Sequence, residues 1–350
     1  MSEAVGYAAT EAGARLAPIR FERRDLRPDD VAVRILYCGV CHSDLHLARN
    51  DWQSTAFPCL PGHEIIGEVT AVGGDVTKVK PGAKVAIGCY VDSCGTCSPC
   101  QHGQEPHCEN QATTTYNGRD KETGDVTYGG YSDHIVTREH FVAIVPDGLD
   151  LERAGPLLCA GITTWSPLRR WNAGPGKRVA VAGLGGLGHM AVKLAVALGA
   201  EVTVVTTSAS KAADAKALGA HDVLISTDAD AMAAAGGRFD IVIDTIPVSH
   251  DVTPYLGIAA LEGAVVLVGV IGIVPAFHSG ALLGGSKTLA GSIVGGMQET
   301  QELLDFCAKE GVLPDCEMIG IQDIDTAFER MERSDVKYRF VIDMSTLTAG

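Results

Sequence analysis

A chain of 350 residues with 46% hydrophobic and 20% charged side chains is long enough for two domains of ordinary size. Its net charge of −15, from 28 basic against 43 acidic residues, argues against nucleic acid or an anionic membrane as partner. No apolar run reaches the ~18 residues of a spanning helix, and MSEAVGYAATEAG at the start has neither a basic head nor an apolar stretch, so a cytoplasmic protein is expected.

The predicted elements change character along the chain. Up to residue 150 the pattern is of short strands, at VAVRILY (31–37), EIIGEVTAVG (64–73) and KVAIG (84–88). Pro61-Gly62, Gly73-Gly74 and Pro81-Gly82 punctuate them. From residue 177 strand and helix alternate: RVAVAG, an alanine-rich helix through HMAVKLAVALG, VTVVTT, a helix near 210–218, DVLIS, FDIVIDTI, a helix near 251–261, AVVLVGV and TLAGSIVG. Unbroken apolar strands separated by helices predict an α/β domain, a parallel sheet covered on both faces. An amphipathic helix is predicted over 298–311 and a last strand at YRFVIDM.

Eleven cysteines in a reducing compartment point to metal or catalysis rather than disulfides. Four of them, Cys94, Cys97, Cys100 and Cys108, are spaced C-x2-C-x2-C-x7-C. Two-residue gaps let neighbouring thiolates converge on one tetrahedral zinc, and Gly95, Pro99 and Gly103 suit the turns this needs. The C-x2-C-x2-C start is also a ferredoxin spacing, but that motif continues with three residues and a proline. Here seven residues intervene and Glu109 follows. Four thiolates leave no open position, so this zinc is structural.

A second set is more scattered. Cys41, His63 and Cys159 form a Cys-His-Cys group of the type that leaves a fourth zinc position for water or substrate. Glu64, next to His63, can fill that position in the absence of substrate, and Asp44 is placed to orient His63 from behind. Cys38 and Cys59 fit apolar strand or turn positions and are assigned to the core.

The run Gly183-Leu184-Gly185-Gly186-Leu187-Gly188 follows the strand VAVA and opens a helix, the setting required of a dinucleotide-binding G-x-G-x-x-G. Gly183 permits the turn, Gly185 lets a pyrophosphate reach the backbone, and Gly188 lets helix and strand pack. An NAD site usually has a carboxylate at the end of the next strand. Here stand Thr206, Thr207, Ser208, Ser210 and Lys211, while Glu201 begins that strand. Hydroxyls and an ammonium suit a 2′-phosphate, so NADP(H) is expected.

The motifs CGVCHSDLH, PCLPGHEIIGEV, the four-cysteine loop, PLLCAGITTWSPL and GLGGLGH, in this order, resemble the zinc-containing medium-chain alcohol dehydrogenases. The likeness spans the whole chain to RSDVKYRFVID and is greatest for the cinnamyl alcohol dehydrogenase-like branch, which includes bacterial NADPH-dependent broad-range aldehyde reductases. It implies a GroES-like catalytic domain over 1–153 and 295–350, with a Rossmann nucleotide-binding domain over 154–294 between. It also implies two Zn2+ per chain, Ser43 and His46 as a proton relay, and a contact of His42 with cofactor phosphate. Further cofactor contacts follow at Thr163, Thr245, Gly269, Val270, Ser292, Ile293, Val294 and Arg339, the last towards pyrophosphate. Trp52, Tyr90 and Ile293 are candidate pocket walls for an apolar or aromatic aldehyde or alcohol, and Trp165 is another. Relatives are often homodimers. A cofactor sensor needs neither Ser43 nor His46, and a quinone reductase of the superfamily lacks both zinc sites. An NAD-linked alcohol or polyol dehydrogenase is the alternative, opposed by the Thr-Thr-Ser-x-Ser-Lys run.

Overall fold

The computed structural model describes residues 2–269 and 272–348. The chain divides into two compact units, one running to Cys159 and resuming at Gly295, the other Ala160–Val294.

The first unit is built on a sheet whose long central strand, Asp30–Val40, has the predicted period of two: Val31, Val33 and Ile35 are buried and Arg34 is exposed. Ile65–Val72 and Arg339–Asp343 flank it, both antiparallel. Lys84–Ile87 and then Ala143–Ile144 extend the sheet beyond Ile65–Val72, Cys316–Gly320 closes the other edge, and His134–Arg138 pairs with the central strand off this row. The C-terminal strand is thus an interior member, with Phe340 opposite Val40 and Ile342 opposite Cys38. A hairpin of Ser2–Ala8 and Ala17–Arg23, absent from the sequence reading, precedes the sheet.

In the second unit six parallel strands run in the order Asp222–Ile225, Glu201–Thr206, Arg178–Ala182, Phe239–Asp244, Ala259–Leu267, Thr288–Gly291. Numbered along the chain this is 3-2-1-4-5-6, the doubly wound dinucleotide-binding order. Val179–Ala182 is buried throughout, as a strand covered on both faces must be.

Boundaries differ from expectation where local chemistry competes. The helix near 251–261 is only Thr253–Ile258, because Gly257 weakens it and the apolar run claims Ala259 for the sheet. The helix over 298–311 is Met297–Glu310, closed by Gly311 at φ +68°. The expected domain break after residue 153 falls inside the helix Leu151–Ala154. The chain continues through Gly155–Leu158 and stays with the first unit as far as Cys159. A side chain at Gly155 would lie 2.8 Å from the Glu64 carbonyl, so only glycine allows this close approach.

Candidate metal centres and cofactor loop

The four predicted cysteines converge. Their sulfurs lie within 4.8 Å of one another, with Cys94–Cys100 at 4.0 Å, Cys97–Cys100 at 3.4 Å and Cys97–Cys108 at 4.0 Å. Four thiolates around one zinc at about 2.3 Å stand about 3.8 Å apart, so the set has the size of the ion. The amides of Cys94 and Cys97 donate to Cys108 Sγ and Cys94 Sγ, each at 3.4 Å. A side-chain hydrogen bond from Asn110, with help from nearby amides, pulls the Cys94 thiol down to about 5.

Cys41, His63, Glu64 and Cys159 form the second group, again with donor atoms within 4.8 Å. Cys41 stands just before the helix His42–Arg49, and its Sγ is 3.7 Å from that of Cys159, another tetrahedral edge. Glu64 is 0% exposed and neither carboxylate oxygen has a hydrogen-bond partner. A buried carboxylate left without donors is costly unless a cation compensates it. Arg339 stands beside it, with Nη1 3.6 Å from Glu64 Oε1. Burial pushes the Glu64 carboxyl up to about 7 against the pull of Arg339. A hydrogen bond from Cys159 holds the Cys41 thiol well below the usual thiol range despite burial, with Arg339 adding to it. Two thiols, an imidazole and a buried carboxylate without hydrogen-bond donors are the donor set of an exchangeable zinc site, and they fit the ion.

Asp44 sits behind this group, fully buried. Its Oδ1 accepts from His63 Nδ1 and from the Gly62 amide, both at 3.1 Å. That bond leaves Nε2 of His63 free for a metal. Burial opposes protonation of His63, yet the Asp44 and Cys89 charges raise its pKa well above the ordinary value. Three neighbours were not visible in the sequence reading: Tyr116 stacks on His63 at 5.7 Å, Tyr131 donates to Asp44, and Cys89 interacts with Cys159. Cys38 and Cys59 are core residues, as expected.

Ser43 and His46 are three apart on one helix and so share a face. His46 Nδ1 is 2.8 Å from Asp51 Oδ2, its ring is 5.3 Å from Trp52, and it is 6.3 Å from the exposed His42. Trp52 is 42% exposed, whereas Tyr90 is half-buried beside Cys89 and burial pushes its phenol up to about 12. Arg339, expected towards pyrophosphate, is 4% exposed; Nη1 donates to the Val40 carbonyl at 3.4 Å and faces Glu64.

In the second unit Gly183 turns the chain at φ +91°, and the helix Gly186–Ala197 starts after Gly185. A Cβ on Gly185 would meet nothing within 4 Å, so this backbone is open to an incoming group. A Cβ on Gly188 would lie 2.2 Å from the Gly183 carbonyl oxygen, and one on Gly183 would lie 2.7 Å from Thr245 Oγ1. Thr245 itself donates to the Ala182 carbonyl at 2.7 Å. The loop therefore fits a pyrophosphate cradle, open at Gly185 and tightly packed behind it. Leu184 is buried, and Gly186 and Leu187 begin the helix.

After Thr206, which is buried, the Ser208 amide donates to Thr206 Oγ1 at 3.3 Å and Ser208 Oγ is 2.7 Å from Ser210 Oγ. Thr207 and Lys211 are exposed. Glu201, at the far end of that strand, pairs with Arg238. Thr163 and Trp165 lie on the helix Ala160–Arg170, and Trp165, only 3% exposed, is a core residue of the second unit. Gly269 packs against the Ile246 carbonyl, Val270 lies outside the described residues, and the Ser292 amide donates to the Leu267 carbonyl at 3.0 Å. Ile293, 49% exposed, and Val294 follow it.

Two family models match: "Alcohol dehydrogenase GroES-like domain" over residues 27–147 and "Zinc-binding dehydrogenase" over 186–309. The chain belongs to the zinc-binding alcohol dehydrogenase family, with a GroES-like domain and a Rossmann-type domain. It is 48% identical to the NADP-dependent alcohol dehydrogenase C 1 of Mycolicibacterium smegmatis over 99% of each chain. It is also 48% identical to the aldehyde reductase YahK of Escherichia coli, over 95% of this chain and 96% of that one. Among solved structures, the cinnamyl alcohol dehydrogenase SbCAD4 of Sorghum bicolor superposes with a TM-score of 0.96 at 42% identity, covering 100% of this chain and 99% of the other.

Proposed function

We propose that this chain is a zinc-dependent, NADPH-preferring reductase of a broad range of aldehydes, aromatic and aliphatic, acting reversibly on the primary alcohols. The observation that carries the reading is Glu64, a buried carboxylate without donors inside a Cys-His-Cys set. When bound, zinc polarises a carbonyl oxygen and the nicotinamide ring delivers hydride to the carbonyl carbon. Cys41, His63 and Cys159 would hold the ion, with Glu64 as an exchangeable fourth ligand. Asp44 fixes the tautomer of His63. Ser43 would pass its hydroxyl proton to the product oxygen, and His46, oriented by Asp51, would replenish it from solvent. Thr207, Ser208 and Lys211 receive the 2′-phosphate, and the absence of a carboxylate there removes the repulsion that an NAD-type site would impose. Both metal sites need free thiolates, so the reading places the enzyme in a reducing compartment such as the cytoplasm. No helix among the described residues is long and apolar enough to cross a membrane.

The test is a panel of aldehydes with NADPH or NADH. Consumption of NADPH should exceed that of NADH in kcat/KM, and Lys211→Asp should shrink the ratio by about tenfold or more, the loss of one charge-assisted contact. Equal use of both cofactors by the unaltered enzyme contradicts the NADPH reading.

An imidazole can release and regain a proton near neutral pH, whereas glutamine cannot. In His46→Gln the pH dependence of the rate should flatten, the zinc content staying that of the unaltered enzyme. A stopped-flow pH–rate profile identical to the unaltered one would remove His46 from the relay.

A homodimer is part of the same proposal. Among the described residues the strand Thr288–Gly291 has a neighbour on one side only, and Leu261, Ile273 and Leu283 are exposed on that unit. Light scattering should give twice the chain mass.

A further inference from the structure

We propose that Tyr131 is a positioning residue for the metal site, acting through Asp44 to set the orientation of His63. This rests on Cys41, His63 and Cys159 holding zinc, and it adds a residue to that site that lies 87 positions from the carboxylate it binds.

Asp44 accepts four hydrogen bonds. Its Oδ1 takes His63 Nδ1 and the Gly62 amide at 3.1 Å each, and its Oδ2 takes the Cys41 amide at 2.8 Å and the Tyr131 hydroxyl at 3.1 Å. Three of those donors belong to, or adjoin, the ligands Cys41 and His63. Tyr131 alone comes from elsewhere in the chain, and it is the only one besides His63 that a side-chain substitution can remove. A carboxylate with all four lone-pair positions filled is held in place and its charge is spread over the donors. Without the phenol, Oδ2 loses one of its two donors. Asp44 then leans harder on His63 Nδ1 and is freer to rotate, so the ring that meets the metal changes both in electron supply and in position.

The hydroxyl is also fixed where it must be. Tyr131 is fully buried, and its segment is laced to the one carrying His63: the Gly129, Gly130 and Tyr131 amides donate to the Leu60, Gly62 and Pro61 carbonyls at 2.8, 2.8 and 3.0 Å. A Cβ on Gly62 would lie 2.8 Å from the Gly130 nitrogen and one on Gly129 2.4 Å from the Pro61 carbonyl, so the two segments touch backbone to backbone. From the other side Arg23, itself buried, clamps the segment. Its Nη1 donates to the Tyr128 carbonyl at 2.6 Å, Nη2 to the Gly129 carbonyl at 2.9 Å and Ser132 Oγ at 2.8 Å, and Nε to the His134 carbonyl at 3.0 Å. A guanidinium spent on four backbone and hydroxyl oxygens with no carboxylate among them serves to hold that segment still. The N-terminal hairpin thereby reaches the metal site: Arg23 holds the segment of Tyr131, Tyr131 holds Asp44, and Asp44 holds His63.

The experiment compares the unaltered holoenzyme with Tyr131→Phe, Asp44→Asn and the double variant, following release of each zinc to a chelator. Tyr131→Phe keeps the ring and removes only the hydroxyl. It should release the zinc of the Cys41–His63–Cys159 site about tenfold faster, the low end of the effect of groups behind a metal ligand. The four-cysteine zinc should leave at the unaltered rate. In the Asp44→Asn background Tyr131→Phe should add nothing, because its effect passes through that carboxylate. Cobalt(II) placed in the site should show a shifted visible band in Tyr131→Phe, and this reads the contact even if Asp44→Asn fails to fold. An unaltered release rate in Tyr131→Phe, an unshifted cobalt band, or a tenfold effect that persists with Asn at 44 would each overturn the inference. The unaltered enzyme reports separately on the underlying site: if it holds only one zinc, the metal reading itself fails.

Discussion

His63→Ala should lower kcat for aldehyde reduction by about a thousandfold or more, with one of two zinc ions lost per chain. In the proposed site the imidazole would be one of three ligands besides Glu64, and Asp44 accepts a hydrogen bond from it. Losing the ion removes several kcal/mol of charge stabilisation at the reacting oxygen, and each 1.36 kcal/mol is tenfold in rate. The four-cysteine site shares no residue with this one, so its zinc and the loop it pins should persist. Metal analysis beside steady-state kinetics checks both halves. A variant retaining two zinc ions, or most of its rate, would show that His63 is not a ligand.

The second large effect is expected at Gly188. In Gly188→Val the new Cβ would lie 2.2 Å from the Gly183 carbonyl oxygen, a backbone atom in a turn that already needs φ +91°. Overpacking of this kind costs about 1–3 kcal/mol, and here the distortion falls on the loop proposed to receive the pyrophosphate. NADPH affinity measured by calorimetry should fall by about tenfold or more, since 1.4 kcal/mol is a factor of ten. Zinc content should not change, because every proposed ligand lies in the other unit. An unaltered dissociation constant would mean that the cofactor does not depend on this turn.

These two sites differ in how far they can be read from sequence. The glycine loop and the four cysteines are local: their spacing is their geometry, so strand, turn and helix around Gly183–Gly188 and the sulfur cluster were both legible. Cys41, His63 and Cys159 are farther apart and became a set only through residue chemistry and family likeness. Their support was mostly hidden. Tyr116, Tyr131 and Cys89 approach by tertiary return from distant segments, and nothing in their local pattern distinguishes them from core residues. Arg339 illustrates a subtler gap. It lies on the last strand, and its side chain meets Glu64, a buried guanidinium beside a buried carboxylate in a low-dielectric interior, a contact that no local pattern announces. Competition between overlapping signals explains the rest, as at Gly257, where helix and strand propensities meet within a few residues.

Turnover is expected to depend on one of two zinc ions held by different parts of the same unit. Zinc content and NADPH-dependent reduction of benzaldehyde, followed in the same samples as a chelator strips the enzyme, test this. Two zinc ions per chain are predicted at the start, with the rate falling in proportion to the loss of the first while the four-cysteine ion remains. A fully active enzyme with one zinc per chain, or an undiminished rate after both ions are gone, would contradict the account.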